Sequence, residues 1–369
     1  MNIHVVKKGE TLGQLSRKYA VEEKALRLAN SLNVPGPLCP GQSLFIPGDL
    51  PYGRRSLEVS IFLSSPPDTL SADAFTYFSF YSHRFDEEGG LIEPDFDCGG
   101  ERLRNAGCAP LLCLANLNEH GGFSPELAHM LFSSAQVQDR LTGLLLSRLR
   151  AGKYYGLQLC FNYLFPFDKD NYSAYVSMLA ELMHREGFIL SVELAPPDSP
   201  ALSSAFDYAA LGSLADRLSL MFCRWGHSCS PPQPLAPLNY IRDALNTLRP
   251  LIPGEKMLLG LSGCGFDWKL PWHQGDRAQQ ITNPLAEELA MSLKAEIQYD
   301  SRAQSPCFDY TDAALRRHRV YFEDARSISA KLELVEELSL AGLCLYSFER
   351  ALRPGSAIPE RLYNAEKLL

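Results

Sequence analysis

The run Tyr154–Pro166 reads YYGLQLCFNYLFP, and it carries polar groups at every second position. With the two-residue period of a β-strand, Gln158, Cys160 and Asn162 face one side. Leu157, Leu159, Phe161 and Tyr163 face the other and are expected to pack against helices. Amides donate and accept hydrogen bonds but have no proton to give a leaving oxygen, and a positioned acid is worth about 10² to 10⁴ in rate. A carboxyl group for that task has to come from another run, and Glu193 in FILSVELA (188–195) is the candidate. The competing use of Glu193 is a buried ion pair with Arg224, at the end of LSLMFCR (218–224), and that pair is the expectation. Cys160, Cys223, Cys264 and Cys344 fall on or just after strand-like runs, where thiol or soft-metal chemistry is conceivable. Free cysteine is a common small core residue, and no histidine-rich motif accompanies these four, so no metal site is expected. His227 reads as an exposed loop histidine. Asp168 and Asp170, after Pro166, read as helix-capping or solvated acids.

These residues need a scaffold that brings strand ends together. Apolar strand-like runs recur at 57–63, 75–81, 110–116, 156–163, 188–195, 218–224, 257–263 and 341–348, with helical patterns between most of them, as at 136–150, 171–187, 235–248 and 327–339. Eight strands alternating with helices predict a (β/α)8 TIM barrel in an α/β chain, over residues 56–369. In such a barrel Gln158, Cys160 and Asn162 point inward, with Asn162 nearest the mouth. The gap between the seventh and eighth strands is too long for one crossover helix, and it holds the strand-like Ala295–Tyr299 and Arg319–Phe322. It predicts a small α+β insertion, about 266–325, walling a groove. Flat aromatic faces suit hexose rings, and two or three of Trp225, Trp268, Trp272, Tyr299 and Tyr346 are expected to line that groove.

Ahead of the barrel, residues 2–48 form a separate βααβ unit, followed by a linker at 49–55. Ile3–Val6 reads as a strand, Thr11 as a helix N-cap with Gln14 as its capping-box partner, and Leu44–Ile46 as the closing strand.

The 369 residues are 46% hydrophobic and 21% charged, with a formal net charge of −8. That is the composition of an ordinary globular chain without clustered Lys and Arg, which argues against nucleic acid as a partner. No run is long and apolar enough to span a membrane, and MNIHVVKKGETLG lacks the charged and apolar regions of a secretory signal. Ten cysteines sit singly, without zinc spacing or the density of a disulfide scaffold. No cofactor is implied.

The N-terminal unit resembles a LysM module along its whole length, through HVVKKGETLGQLSRKYAV, LAN at 28–30 and LCPGQSLFIPG. The resemblance implies binding of N-acetylglucosamine chains in peptidoglycan or chitin. The contacts would come from Gly9, Glu10, Thr11 and Leu12 on one loop and Ser31, Leu32, Asn33 and Val34 on the facing loop.

The barrel resembles glycoside hydrolase family 18, and within it the spore-germination glycosidases that carry LysM modules. The likeness is strongest at Trp225-Gly226, Gly265–Pro271, Glu296–Asp300, Ala303–Pro306 and Phe322–Ser327. The family's catalytic strand, Asp-Gly-x-Asp/Asn-x-Asp-x-Glu, aligns on Tyr155–Asn162. Asn162 then stands at the proton-donor position and Cys160 at the inner aspartate that orients the substrate's acetamido group. Where the family holds that group with Tyr and an acid, this chain has Cys223 and Arg224, and Tyr346 takes the place of the family's floor Trp. By resemblance, barrel contacts to glycan would come from Asn162, Cys223, Arg224, Trp225, Trp268 and Tyr346. The expectation is a glycan-binding protein whose barrel has lost its catalytic acids. The alternatives are an active N-acetylglucosaminidase using relocated chemistry, perhaps Glu193, and a structural spore-coat protein cross-linked through exposed cysteines. Resemblance implies a spore coat, cortex or cell-wall location; the sequence alone agrees equally with a cytoplasmic one.

Overall fold

The computed structural model describes residues 2–30, 32, 37–48, 54–62, 75–95, 100–197, 203–348 and 364–369. At the N-terminus β1 (Ile3–Val5) and β2 (Ser43–Phe45) pair antiparallel around the helices Leu12–Tyr19 and Glu23–Ala29. The first helix starts where the sequence predicts. Thr11 Oγ1 accepts the Gln14 N–H at 3.3 Å, and Gln14 Oε1 accepts the Thr11 N–H at 2.9 Å. Val6, Leu12, Leu15, Leu26, Leu32, Leu44 and Ile46 close a core of their own. That set is small, as it must be for a chain segment of this length.

A closed ring of eight parallel strands follows: β3 (Arg54–Phe62), β4 (Tyr77–Phe85), β6 (Ala109–Ala115), β7 (Gly156–Cys160), β8 (Ile189–Leu194), β9 (Arg217–Met221), β10 (Met257–Ser262) and β16 (Gly342–Phe348). The pairing of β3 with both β16 and β4 closes the barrel. The short β5 (Leu91–Ile92) and β17 (Asn364–Ala365) add to β4 and β3. Every expected barrel strand is present. Outward positions such as Leu157, Leu159, Val192, Leu194, Leu218 and Leu220 are fully buried against the surrounding helices, including Ala135–Ala151, Lys169–Arg185, Leu238–Leu248 and Ala325–Glu337.

Between β10 and β16 lies the inserted sheet: β11 (Cys264–Leu270), β12 (Gln279–Thr282), β13 (Gln298–Asp300), β14 (Ser305–Thr311) and β15 (Arg317–Tyr321), in the order β12-β11-β15-β14-β13. The helix Asn283–Leu293 starts on a Thr282 cap and lays Ala286 and Ala290 on Phe308, Val320 and Phe322. The N-terminal module docks on this insertion. Cys39 joins the insertion's core and Met291 reaches into that of the module. The Ile297 N–H donates to Pro40 O at 2.9 Å, and the Arg326 N–H to Ser43 Oγ at 3.3 Å. Gly41 is required there: its φ is +82°, and a Cβ would sit 1.9 Å from Ile297 O. Burial pushes the Cys39 thiol up to about 12. None of the described helices is long and apolar enough to cross a membrane.

Candidate functional site

Inside the barrel the inward side chains form layers. In a lower layer Glu58 Oε1 accepts Gln158 Nε2–H at 2.9 Å and Ser219 Oγ–H at 3.3 Å, with Cys344 Sγ 3.6 Å away. Arg217 Nη2 lies 3.5 Å from Glu58 Oε2 and its guanidinium sits 3.9 Å over the Tyr77 ring. Burial pushes the Glu58 carboxyl up, and Arg217 offsets part of that. Gln158 is therefore committed to holding a buried acid.

The layer above contains the positions of catalytic interest. Cys160 Sγ is 3.2 Å from Cys113 Sγ, both fully buried, and burial pushes the Cys160 thiol well up. Asn162, two residues past the end of β7, is fixed by Asn116: its N–H donates to Asn116 Oδ1 at 3.0 Å, and Asn116 Nδ2–H donates to Asn162 O at 3.0 Å. The Asn162 side chain donates from Nδ2 to Glu193 Oε1 at 3.0 Å, while Tyr81 Oη–H donates to Glu193 Oε2. Arg224 Nη2 is 4.0 Å from Glu193 Oε1. Glu193 is only 1% exposed, and Tyr346, at 3%, lies in the same interior with Met221 and Cys344. Gly260 makes room for Tyr346, since a Cβ there would approach its ring to 2.8 Å.

The structure thus brings Asn162, Cys160, Glu193, Cys223, Arg224 and Tyr346 to the upper part of the barrel, and corrects several expectations. The expected Glu193–Arg224 ion pair is present, at the 4.0 Å limit of ion-pair distance, but it is not the carboxylate's main hold: its hydrogen-bond donors are Asn162 and Tyr81. Trp268 does not line a groove: it is fully buried in the insertion, and its Nε1–H donates to Ser230 O at 2.7 Å. Trp225 packs on the helical side of the barrel, its indole parallel to Phe222 with centroids 6.0 Å apart. Arg326 stacks 3.5 Å over Tyr299, whose Oη–H donates to Gln304. Tyr163 leaves the helix-facing side, because a left-handed φ of 57° at the strand end turns it outward to 49% exposure. Asp168 neither caps the helix Lys169–Arg185 nor faces water; it is buried and holds His129 Nδ1 at 2.8 Å. His227 is exposed, as expected.

Among the described residues no group of three or more His, Cys, Asp or Glu could hold a metal ion. The nine described cysteines are all free, and of these Cys229 is exposed and Cys223 partly so, which leaves little thiol surface for cross-linking. Tyr81, Asn116, Cys113 and Glu58 went unremarked in the sequence. Their signal was a polar or thiol side chain at an inward position of an apolar run.

On the N-terminal module, Gly9 is exposed and open, with φ +87° and no atom within 4 Å of an added Cβ. The Glu10 carboxylate accepts Lys7 N–H at 2.7 Å and lies 2.7 Å from His4 Nε2, and these two bonds hold it below its usual range. Thr11 is exposed beside it, whereas Leu12 and Leu32 belong to the module's core. Ser31, Asn33 and Val34 lie outside the described residues.

The Glycosyl hydrolases family 18 profile matches residues 120–351, and the LysM domain profile matches residues 4–47. The chain is 32% identical over 404 residues to the cortical fragment-lytic enzyme of Bacillus subtilis (strain 168), covering 93% of this chain and 94% of that protein. It is 27% identical to the putative sporulation-specific glycosylase YdhD of the same organism, over 99% of this chain and 89% of that one. Among solved structures, the Bacillus megaterium QM B1551 spore cortex-lytic enzyme SleL matches with a TM-score of 0.79 at 30% identity, covering 100% of this chain and 87% of that chain. The Bacillus cereus SleL matches with a TM-score of 0.87 over 99% of both chains at 24% identity, a likeness of fold. Its sequence and its architecture both place this chain in glycosyl hydrolase family 18, with a LysM domain at its N-terminus.

Proposed function

We propose that this protein binds N-acetylglucosamine-containing glycan of the peptidoglycan type through its LysM module, and that its barrel does not hydrolyse it. The observation that carries this reading is the occupancy of the acid position. An amide stands there, and the neighbouring carboxylate, Glu193, has both oxygens engaged as acceptors, one from Asn162 and one from Tyr81. A general acid must present a proton to the leaving oxygen, and in this arrangement the protons point at Glu193 instead. The buried thiol of Cys160 offers no carboxylate to orient an acetamido group.

The names of the relatives, cortical fragment-lytic and sporulation-specific, favour spore cortex as the glycan and the spore as the location. The test uses the full chain with purified cortex fragments and with the N-acetylglucosamine tetramer, measuring co-sedimentation or calorimetric binding alongside release of reducing ends. Binding without release is the expected result; release at a rate that barrel substitutions abolish overturns it.

A second reading, hydrolysis with Glu193 as a relocated acid, has one observation in its favour: the carboxylate lies 3.0 Å from the amide that occupies the family's acid position. It requires that Glu193→Gln abolish a measurable turnover.

A further inference from the structure

Trp225 was expected at the barrel mouth, and the structure puts it elsewhere. It lines an open cleft of about 490 Å³ on the outer flank of the barrel, together with Pro197 from the loop after β8 and Tyr240, Asp243, Ala244 and Thr247. The last four lie three, one and three residues apart on the helix Leu238–Leu248, which places them on one face. We propose that this cleft is a second saccharide site, taking a pyranose ring of a neutral glycan chain and separate from the barrel interior.

The chemistry of the lining selects that ligand. Two aromatic rings, Trp225 and Tyr240, stand 5.8 Å apart at 45°, so one can take the apolar face of a sugar ring and the other its edge. The residue is held in place: Phe222 lies parallel to the indole, the Trp225 backbone N–H donates to Leu235 O at 3.2 Å, and Gln233 Nε2–H donates to the Trp225 backbone O at 2.7 Å. Asp243 and Thr247 are exposed; the carboxylate accepts from sugar hydroxyls, and so does the Thr247 hydroxyl, whose own proton goes to the Asp243 backbone O at 3.1 Å. Among the described residues no basic side chain pairs with the Asp243 carboxylate, and none lines the cleft, so a phosphate or carboxylate ligand has no counter-charge. The same ring-and-acid set could receive a quaternary ammonium group. Such cages enclose their charge, whereas Tyr240 is 46% exposed and the cleft is an open shelf, which suits a chain passing across it. The site rests on the proposed reading only for the identity of the sugar, N-acetylglucosamine.

The experiment exploits a feature of the sequence. All three tryptophans, Trp225, Trp268 and Trp272, lie in the barrel and its insertion and none in the LysM module, so tryptophan fluorescence is blind to glycan held by LysM alone. The full-length protein is titrated with the N-acetylglucosamine tetramer by fluorescence and, in parallel, by calorimetry. A saturable fluorescence change is expected, weakened about tenfold or more in Tyr240→Ala and in Asp243→Ala, as for the loss of one stacking or hydrogen-bonding partner. Both side chains are exposed, and unchanged melting temperatures confirm that the variants fold. Heat of binding without a fluorescence change, or a change that the two variants leave intact, overturns the flank site while leaving LysM binding in place. Neither heat nor fluorescence change overturns both. A fluorescence response to choline in place of the tetramer overturns the choice of a sugar.

Discussion

Asn162→Asp converts the amide at the acid position into a carboxyl group of nearly the same shape, so its new oxygen replaces Nδ2 at 3.0 Å from Glu193 Oε1. Two negative charges at that separation repel by roughly 5 kcal/mol at an effective dielectric of 20. That repulsion is equivalent to about four pH units, so the pair retains one proton at neutral pH. The unfolded chain releases that proton above about pH 4 and the folded variant keeps it. Stability of the variant therefore falls as pH rises above about 4, by about 1.4 kcal/mol per unit relative to the parent for as long as the folded pair holds the shared proton. Urea denaturation of both proteins at half-unit steps from pH 4.5 to 8 measures the difference directly. Its full extent is about 4 to 5 kcal/mol, a large fraction of a domain's stability. Parallel pH profiles for the two proteins refute the geometry of the Asn162–Glu193 contact and, with it, the account of why Glu193 is not free to act. The shared proton also gives the barrel an acid at the position proposed for the proton donor, so a gain of reducing-end release from the tetramer is a further readout.

His83 is buried on β4 and held down to about 4, chiefly by burial and further by Arg148. The unfolded chain takes up a proton near pH 6.5 that the folded state refuses, so stability falls as pH drops from 6.5 to 4 by about 3 kcal/mol in all, and His83→Phe flattens that slope in the same denaturation series. Gly41→Ala forces a Cβ to 1.9 Å from Ile297 O at a φ of +82°. It is expected to lift the LysM module from the insertion, seen as faster proteolysis between the two or a larger radius of gyration, with about 2 kcal/mol or more lost from the docked state. Burial pushes the Cys108 and Cys160 thiols up, so among the described cysteines a thiol reagent at pH 8 labels the exposed Cys229 first and reaches these two only on unfolding. Fast labelling of Cys160 in the native protein contradicts its position.

The fold was legible because its signals are local and repeated. Eight apolar runs at crossover spacing describe a barrel whatever fills its centre, and a capping box at Thr11 marks a helix start without reference to anything distant. The inward set Gln158, Cys160 and Asn162 followed from the period of a strand. What could not be read was which inward groups meet. Glu193 and Arg224 are adjacent in the strand order, so pairing them was reasonable. The stronger donors are Asn162, just past the neighbouring β7, and Tyr81 on β4, two strands further round, in a run that reads as plain core. The tryptophans failed for a related reason. Trp268 and Trp225 follow motifs typical of the family's site, but whether an aromatic ring shows a face to solvent depends on the neighbouring layer, here the inserted sheet for one and a crossover helix for the other.

The clamp between the LysM module and the inserted sheet has a mechanical consequence. With Pro40, Gly41 and Ser43 pinned to Ile297 and Arg326, the module is a fixed jaw rather than a hook on a tether. A polymer that touches both the Gly9 loop and the barrel must match one spacing and one direction of travel. Avidity for such a polymer would then depend on the stiffness and repeat of the strand rather than on the length of a linker.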